Sequence, residues 1–280
     1  MKWFGPRLKI QIGVVLVLGM CLIAVFANVL APHDPYAQNL MQRLKPPVWE
    51  VRGTWAHPLG TDNFGRDLLS RLIYGSRLSI VVGLLAMVVA LSFGTMLGLV
   101  AGYLGGRAEQ VIMRFADAYQ AIPEILLAIV IVAVFGGGVT VLILVLGFAG
   151  WESYTRVAFN LTRSLRERAF VEAAVASGAG GRYVMWRHIL PQMSPVLTVI
   201  ATLQVGQLIL QETALSFLGL GLPPPTATWG NILAEGRDRL LVAPWIANLA
   251  GVAIVLLVLG VNLLGNGLRE TLDPRRADRR

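Results

Sequence analysis

Apolar runs separated by short charged stretches organise this chain. Residues 10–31 form a run interrupted only by Gln11 and Asn28, and about 20 apolar residues suffice to cross a bilayer. Val29-Leu30-Ala31 resembles a signal cleavage site, but the run exceeds the roughly 7–15 residues of a signal core, which favours a retained helix. Residues 79–102, 194–218 and 244–264 predict three further spans. In the first of these, Gly94, Gly98 and Gly102 recur every fourth residue, a spacing that permits close helix packing without naming a partner. Between 112 and 150, two shorter apolar runs, 125–135 and 139–150, flank Gly136-Gly137-Gly138. They read either as one span or as two, the latter requiring extension to 112–135 and 139–159. The polar segment 32–77 holds Pro32, Pro35, Pro46, Pro47 and Pro58. At its end Leu68, Leu69, Leu72 and Ile73 form one apolar stripe, predicting an amphipathic helix at the outer surface with Asp62 as its cap.

Composition agrees with the pattern: 55% hydrophobic, 14% charged, mean hydropathy +0.65, against about 25% charged for soluble domains. The fold class is therefore an all-α polytopic membrane protein. The net charge of +8 is nearly all arginine, and its placement decides the uncertain region. With two spans between 112 and 159, 16 Lys/Arg fall on the N-terminal side of the membrane and 8 on the other. With one span the six arginines of the central loop cross to the outer face, against the positive-inside rule. Six spans follow, with both termini inside: residues 1–31 for the first helix, 32–77 outside, 78–266 for the core with a loop at about 160–195, and 267–280 as a tail. All seven tryptophans fall outside the apolar centres, as interfacial anchors do. No basic cluster is interleaved with aromatics, so the charge suits lipid headgroups rather than nucleic acid.

The chemistry that is missing narrows the function. No phosphate-cradling G-x-x-x-x-G-K-[ST] occurs, and no lysine follows Lys45. Cys21 is the lone cysteine, and His33, His57 and His188 are scattered, so no metal site is expected. No nucleophile–base pair suggests an intramembrane enzyme; the chain reads as non-catalytic. In the fifth span Gln204, Gln207 and Gln211 share one helical face, and Glu212 lies about 100° round from Gln211. Such amides either line a water-filled passage or bond across a subunit interface at about 0.6 kcal/mol each. Glu212, placed near the outer end, is expected to be hydrated; Glu124, after Pro123, is a weaker pathway candidate. These carboxylates leave an ion-coupled secondary carrier as the alternative to an ATP-driven transporter.

Residues 163–195 break the apolar regime with Arg163, Arg166, Glu167, Arg168, Glu172, Arg182, Arg187 and His188. Each charge would cost about 2.5–3.5 kcal/mol at the bilayer centre, so the stretch lies outside hydrocarbon. Its pattern predicts a helix over 169–177, a stop at Gly178, a turn at Gly180-Gly181 and a second helix over 182–190 ending at Pro191. Glu172-Ala173-Ala174, Gly178 and Ile189-Leu190-Pro191 resemble the "EAA" loop of bacterial ABC-importer permeases. Gly180-Gly181 departs from that loop in being more flexible. The segment from His57 to Arg71 (HPLGTDNFGRDLLSR), the run from Glu212 to Gly221 with its prolines and Trp229-Gly230, and the run from Gly267 to Pro274 are similar to the dipeptide, oligopeptide and nickel branch, C-type subunits. The resemblance implies a type I importer permease fold in the bacterial inner membrane and a role as half of a translocation pathway. It further implies a second, homologous permease subunit, two cytoplasmic ATPase subunits binding ATP and Mg, and an extracytoplasmic solute-binding protein. This chain itself would hold no cofactor. Cargo stays open among dipeptides, oligopeptides, nickel and glutathione.

Overall fold

The computed structural model describes residues 5–272; Trp3, Lys2, Asp273-Pro274 and the remaining tail lie outside the described residues. Among them every regular element is helical. In chain order these are α1 (Pro6–Val25), α2 (Ala27–Leu30), α3 (Leu68–Leu104), α4 (Gly106–Gln120), α5 (Glu124–Phe135), α6 (Val139–Ala149) and α7 (Trp151–Arg166). There follow α8 (Ala169–Ala176), α9 (Gly181–Val184), a π-turn (Met185–Ile189), α10 (Leu190–Phe217), α11 (Trp229–Arg237) and α12 (Pro244–Leu272). Among the described residues four continuous helices are long and apolar enough to cross a membrane, and two bent pairs bring the number to six if each pair is one span. The pair α4–α5 bends by 86° at Ala121-Ile122-Pro123, and α6–α7 by 42° at Gly150. Residues 112–159, where two spans are expected, thus form two separate bent helix pairs rather than one continuous helix.

The glycines of α3 meet α7. A Cβ on Gly94 would lie 2.2 Å from the Trp151 carbonyl oxygen, and one on Gly98 2.3 Å from that of Thr155. Thr155 Oγ1 uses the close approach to donate to the Gly94 carbonyl at 3.0 Å. Overpacking of this kind costs at least about 1–3 kcal/mol, because backbone rather than a side-chain tip stands in the way. Gly98→Leu is expected to lower the monodisperse fraction in detergent size exclusion, whereas Gly19→Leu, with open space around its Cβ, leaves it unchanged.

Three expectations about helix ends are corrected. The 68–73 stripe is not a separate surface helix but the first turns of the 37-residue α3, with Leu68 wholly buried against Trp229 and Ile232. Asp67, not Asp62, caps it, accepting from the Ser70 backbone N–H at 2.8 Å. Likewise Pro191 ends nothing. The chain runs helical from Gly181 to Phe217, and the π-turn just before Pro191 absorbs the clash a proline ring makes with the preceding turn. Pro195 removes a second backbone donor, and Ser194 Oγ supplies the missing bond to the Pro191 carbonyl at 2.8 Å. The tryptophans also divide: Trp49, Trp55 and Trp186 are exposed, but Trp151, Trp229 and Trp245 are core residues rather than interfacial anchors. Trp151 is enclosed by Phe93, Phe115 and Tyr119.

Candidate functional site

Three polar regions stand out against the apolar frame. At the Leu104 end of α3 lies the 163–195 stretch. There α8 docks by one side only, Val171 packing with Leu165, Val184, Ile189 and Met193, and Ala174 and Ala179 against them. The opposite side presents Glu172, Ala173, Val175 and Ala176 to solvent. Gly178 closes the helix at φ +84°, a left-handed position that favours glycine. Its N–H bonds the Val175 carbonyl at 2.9 Å, while the Ala179 N–H reaches back to Ala174 at 3.0 Å, a Schellman end. Of the other predicted residues, Ile189 is wholly buried, Leu190 half-buried and Pro191 exposed. Gly181, expected to loosen the loop, instead lets it lie against α3, where an added Cβ would sit 2.8 Å from the Tyr103 ring.

At the other end of α3, about 55 Å away by helix rise, the 61–71 segment folds around a buried ion cluster. Asp62 Oδ1 accepts from the N–H groups of Phe64 (2.8 Å) and Arg66 (3.0 Å). Its Oδ2 accepts from Arg66 Nε at 2.6 Å and Arg71 Nη1 at 2.5 Å. Both arginines continue to Glu235 on α11, Arg66 Nη2 at 2.9 Å and Arg71 Nη2 at 3.0 Å. Thr61, Asp62, Arg66, Asp67, Ser70 and Arg71 are all buried. The two carboxylates and two guanidinium groups balance in charge and clasp the outer segment to α11.

The third region gathers at the two bends. Gln211 Nε2 donates to Glu124 Oε2 at 2.6 Å, joining α10 to the first residue of α5. Gln204 is half-buried beside Gly150, and Gln207 is exposed. Glu212 departs from expectation: it is fully buried, its Oε1 accepting from Ser216 Oγ at 2.8 Å, and is not hydrated. One step round the helix turns it into the packed side, among Leu208, Ile209 and Leu215, while Gln211 faces the bend. Glu152 had no place among the sequence candidates, yet it is 4% exposed in the first turn of α7, with Ser153 Oγ donating to it at 2.9 Å. Nearby Arg156 bonds Asp117 (2.8 Å) and Gln120 (2.7 Å), and Tyr119 Oη donates to the Phe148 carbonyl at 2.6 Å, tying α4 to the second bent pair. The signal for Glu152 was available: it is a carboxylate two residues after the glycine that breaks the helix, Gly150, much as Glu124 follows Pro123.

Comparison with known proteins agrees with this architecture. Residues 94–278 match the family described as binding-protein-dependent transport system inner membrane component, and residues 11–47 the N-terminal TM domain of oligopeptide transport permease C. The di/tripeptide transport system permease protein DppC of Pseudomonas aeruginosa is 41% identical over 94% of this chain and 87% of its own length. The dipeptide permease DppC of Haemophilus influenzae is 38% identical over 98% and 92%. The glutathione transport system permease GsiD of Pectobacterium atrosepticum is also 38% identical, over 92% and 84%. In fold, the chain is similar to one from inward-facing conformations of the MetNI methionine ABC transporter, with TM-score 0.55 and 21% identity over 74% of this chain and 97% of that one. Sequence match over most of the chain and an all-helical fold place this chain in the family of binding-protein-dependent transport system inner membrane components, the permease subunits of ABC importers.

Proposed function

We propose that this chain is a peptide permease that moves short peptides inward and does no chemistry of its own. Relatives named for dipeptide and tripeptide transport, aligned over nearly the whole chain, support that cargo class. The partners in this reading are a second permease subunit, two ATPase subunits that hold the ATP and Mg, and a solute-binding protein on the outer face. Both termini and the 163–195 loop face the cytoplasm, in keeping with the arginine distribution. The observation that carries the reading is α8. It is seated on the permease core through Val171 and Ala174 yet offers Glu172, Ala173, Val175 and Ala176 outward, as a helix that enters a groove on another subunit must. Closure of the ATPase pair pushes on α8, and the contacts of Val171 with Ile189 and Met193 transmit the push to the base of α10 as rigid-body motion. Reconstitution tests this. Labelled dipeptide should enter proteoliposomes only when ATP and all partner subunits are supplied; ion-driven uptake by the single chain would favour the secondary carrier instead.

The Gln204–Gln207–Gln211 face, with Glu124, is the proposed lining of the passage. It lies at the bends of two discontinuous spans, where polar groups in a bilayer find either water or a partner. Gln211→Leu removes a charge-assisted hydrogen bond, worth about 1.5–3 kcal/mol, and is expected to slow uptake by about tenfold or more while ATPase subunits still co-purify. With Cys21 replaced by alanine, Gln207→Cys should react with a hydrophilic thiol reagent. Cross-linking to the other permease subunit, without labelling, would assign this face to the interface.

A further inference from the structure

The outer segment brings His33 and His57 against Asp67, whose second carboxylate oxygen caps α3. His57 Nδ1 lies 2.9 Å from Asp67 Oδ1, and His33 Nδ1 lies 3.8 Å from the same oxygen. The two imidazoles face each other with centroids 4.8 Å apart, and the ligand atoms of all three side chains fall within 4.8 Å of one another. The histidines, far from scattered, are paired here, contrary to the expectation from sequence.

The surroundings hold these groups in place. Asp67 is buried, and its Oδ2 is engaged by the Ser70 backbone N–H at 2.8 Å and hydroxyl at 2.7 Å, which leaves Oδ1 turned to the histidines. Ser70 Oγ also accepts the His33 backbone N–H at 3.0 Å, so one serine orients both the carboxylate and the His33 main chain. Such outer-shell bonds are what fix ligand direction in metal centres. His57 is largely buried and His33 half-exposed, so the open side of the cluster meets solvent beside a pocket that Asn28, Asp34, Tyr36 and Tyr74 line.

Proton accounting leaves the cluster incomplete. One proton on His57 Nδ1 satisfies the 2.9 Å contact. His33 Nδ1, at 3.8 Å, is beyond hydrogen-bond range of that oxygen. His33, His57 and Asp67 can each offer one donor atom to a cation between them. The donor set is two imidazole nitrogens and one carboxylate oxygen, which suits zinc-like transition metals and not the all-oxygen preferences of calcium or magnesium. Metal–ligand bonds of about 2.0–2.2 Å in a tetrahedron put ligand atoms roughly 3.3–3.6 Å apart; the two histidine–Asp67 spacings, 2.9 and 3.8 Å, bracket that value, and all three ligand atoms lie within 4.8 Å of one another.

We propose that His33, His57 and Asp67 form a binding site for a divalent transition-metal ion of the zinc class, with water in the remaining position. The ion joins the chain leaving α2, the middle of the outer segment and the cap of α3, and so closes a clamp over residues 33–67. This site is independent of the cargo and of the coupling loop.

The test uses the full chain with a tag free of histidine, purified with its co-purifying subunits in mild detergent. The sample is incubated with zinc chloride, desalted, and assayed for metal by plasma mass spectrometry, with cobalt in parallel for its tetrahedral absorption band. Expected are one zinc per chain above the His33→Ala level and a cobalt band that His33→Ala abolishes. His33 is half-exposed, so its replacement leaves the fold intact by size exclusion. Asp34→Asn, a neighbouring carboxylate outside the triad, should retain the metal. Wild-type protein without bound metal, equal retention by His33→Ala, or loss in Asp34→Asn to the His33→Ala level each overturns the assignment.

Discussion

Glu172→Lys should abolish ATP-driven uptake while the chain still inserts and folds. Glu172 lies on the solvent side of α8 and touches none of the residues that seat the helix, so the substitution costs the fold within about 0.5 kcal/mol. The same change reverses a charge at the centre of the proposed ATPase contact. Disrupting one partner of a desolvated charge pair costs about 2–5 kcal/mol, or roughly 30- to several thousand-fold in affinity. Gly178→Asp tests the same lever through the backbone. At φ +84° a side chain costs about 1–2 kcal/mol, which the end of α8 can relieve only by abandoning its Schellman bonds and turning the helix away. Both variants are to be measured as dipeptide uptake per unit of membrane-inserted protein. Wild-type pumping by either one removes α8 from the coupling role.

Arg71→Ala is the second large effect, and it acts on stability. Arg71 is 0% exposed and bridges Asp62 to Glu235. Its removal leaves two carboxylates to share Arg66, a net negative charge in a buried site. Breaking a buried pair from one side costs about 3–5 kcal/mol, and at ~2–4 °C per kcal/mol for a chain of this length the apparent unfolding temperature falls by roughly 6–20 °C. Arg71→Lys should fall between, because an ammonium is a point donor and does not reproduce the planar fork. Glu235→Gln should cost less than Asp62→Asn, since Glu235 is 22% exposed and water can replace part of what is lost. An unfolding temperature unchanged in Arg71→Ala would mean that the cluster contributes nothing to holding the outer segment on α11.

The helix and glycine stop of the 163–195 stretch were legible in sequence because their signals are local. A charged segment among apolar runs must lie in water, and an alanine-rich helix stopped by glycine needs no distant partner. The long helices were harder to delimit. Leu68 to Ile73 carried an amphipathic stripe, but only the burial of Leu68 against Trp229 shows that the stripe is the root of α3. Pro191 looked like a terminator because a π-turn upstream of a proline leaves no mark in the residue pattern.

The sequence alone determined that this is a helical membrane protein, that residues 163–195 leave the apolar regime, and that a short alanine-rich helix there stops before Gly178. Those conclusions rest on hydropathy, charge and short-range helix signals, each read within a few turns of chain. Tertiary structure alone decided which side of each helix is inside. Periodicity gives the angle between Gln211 and Glu212, but the neighbour each one meets depends on how α3, α5 and α10 cross. Those crossings are set by backbone approaches such as Gly94 and Gly98 on α7 and Gly83 on Ile209. For the same reason His33 and His57, 24 residues apart in the chain, become neighbours only once the outer segment has folded back over the start of α3.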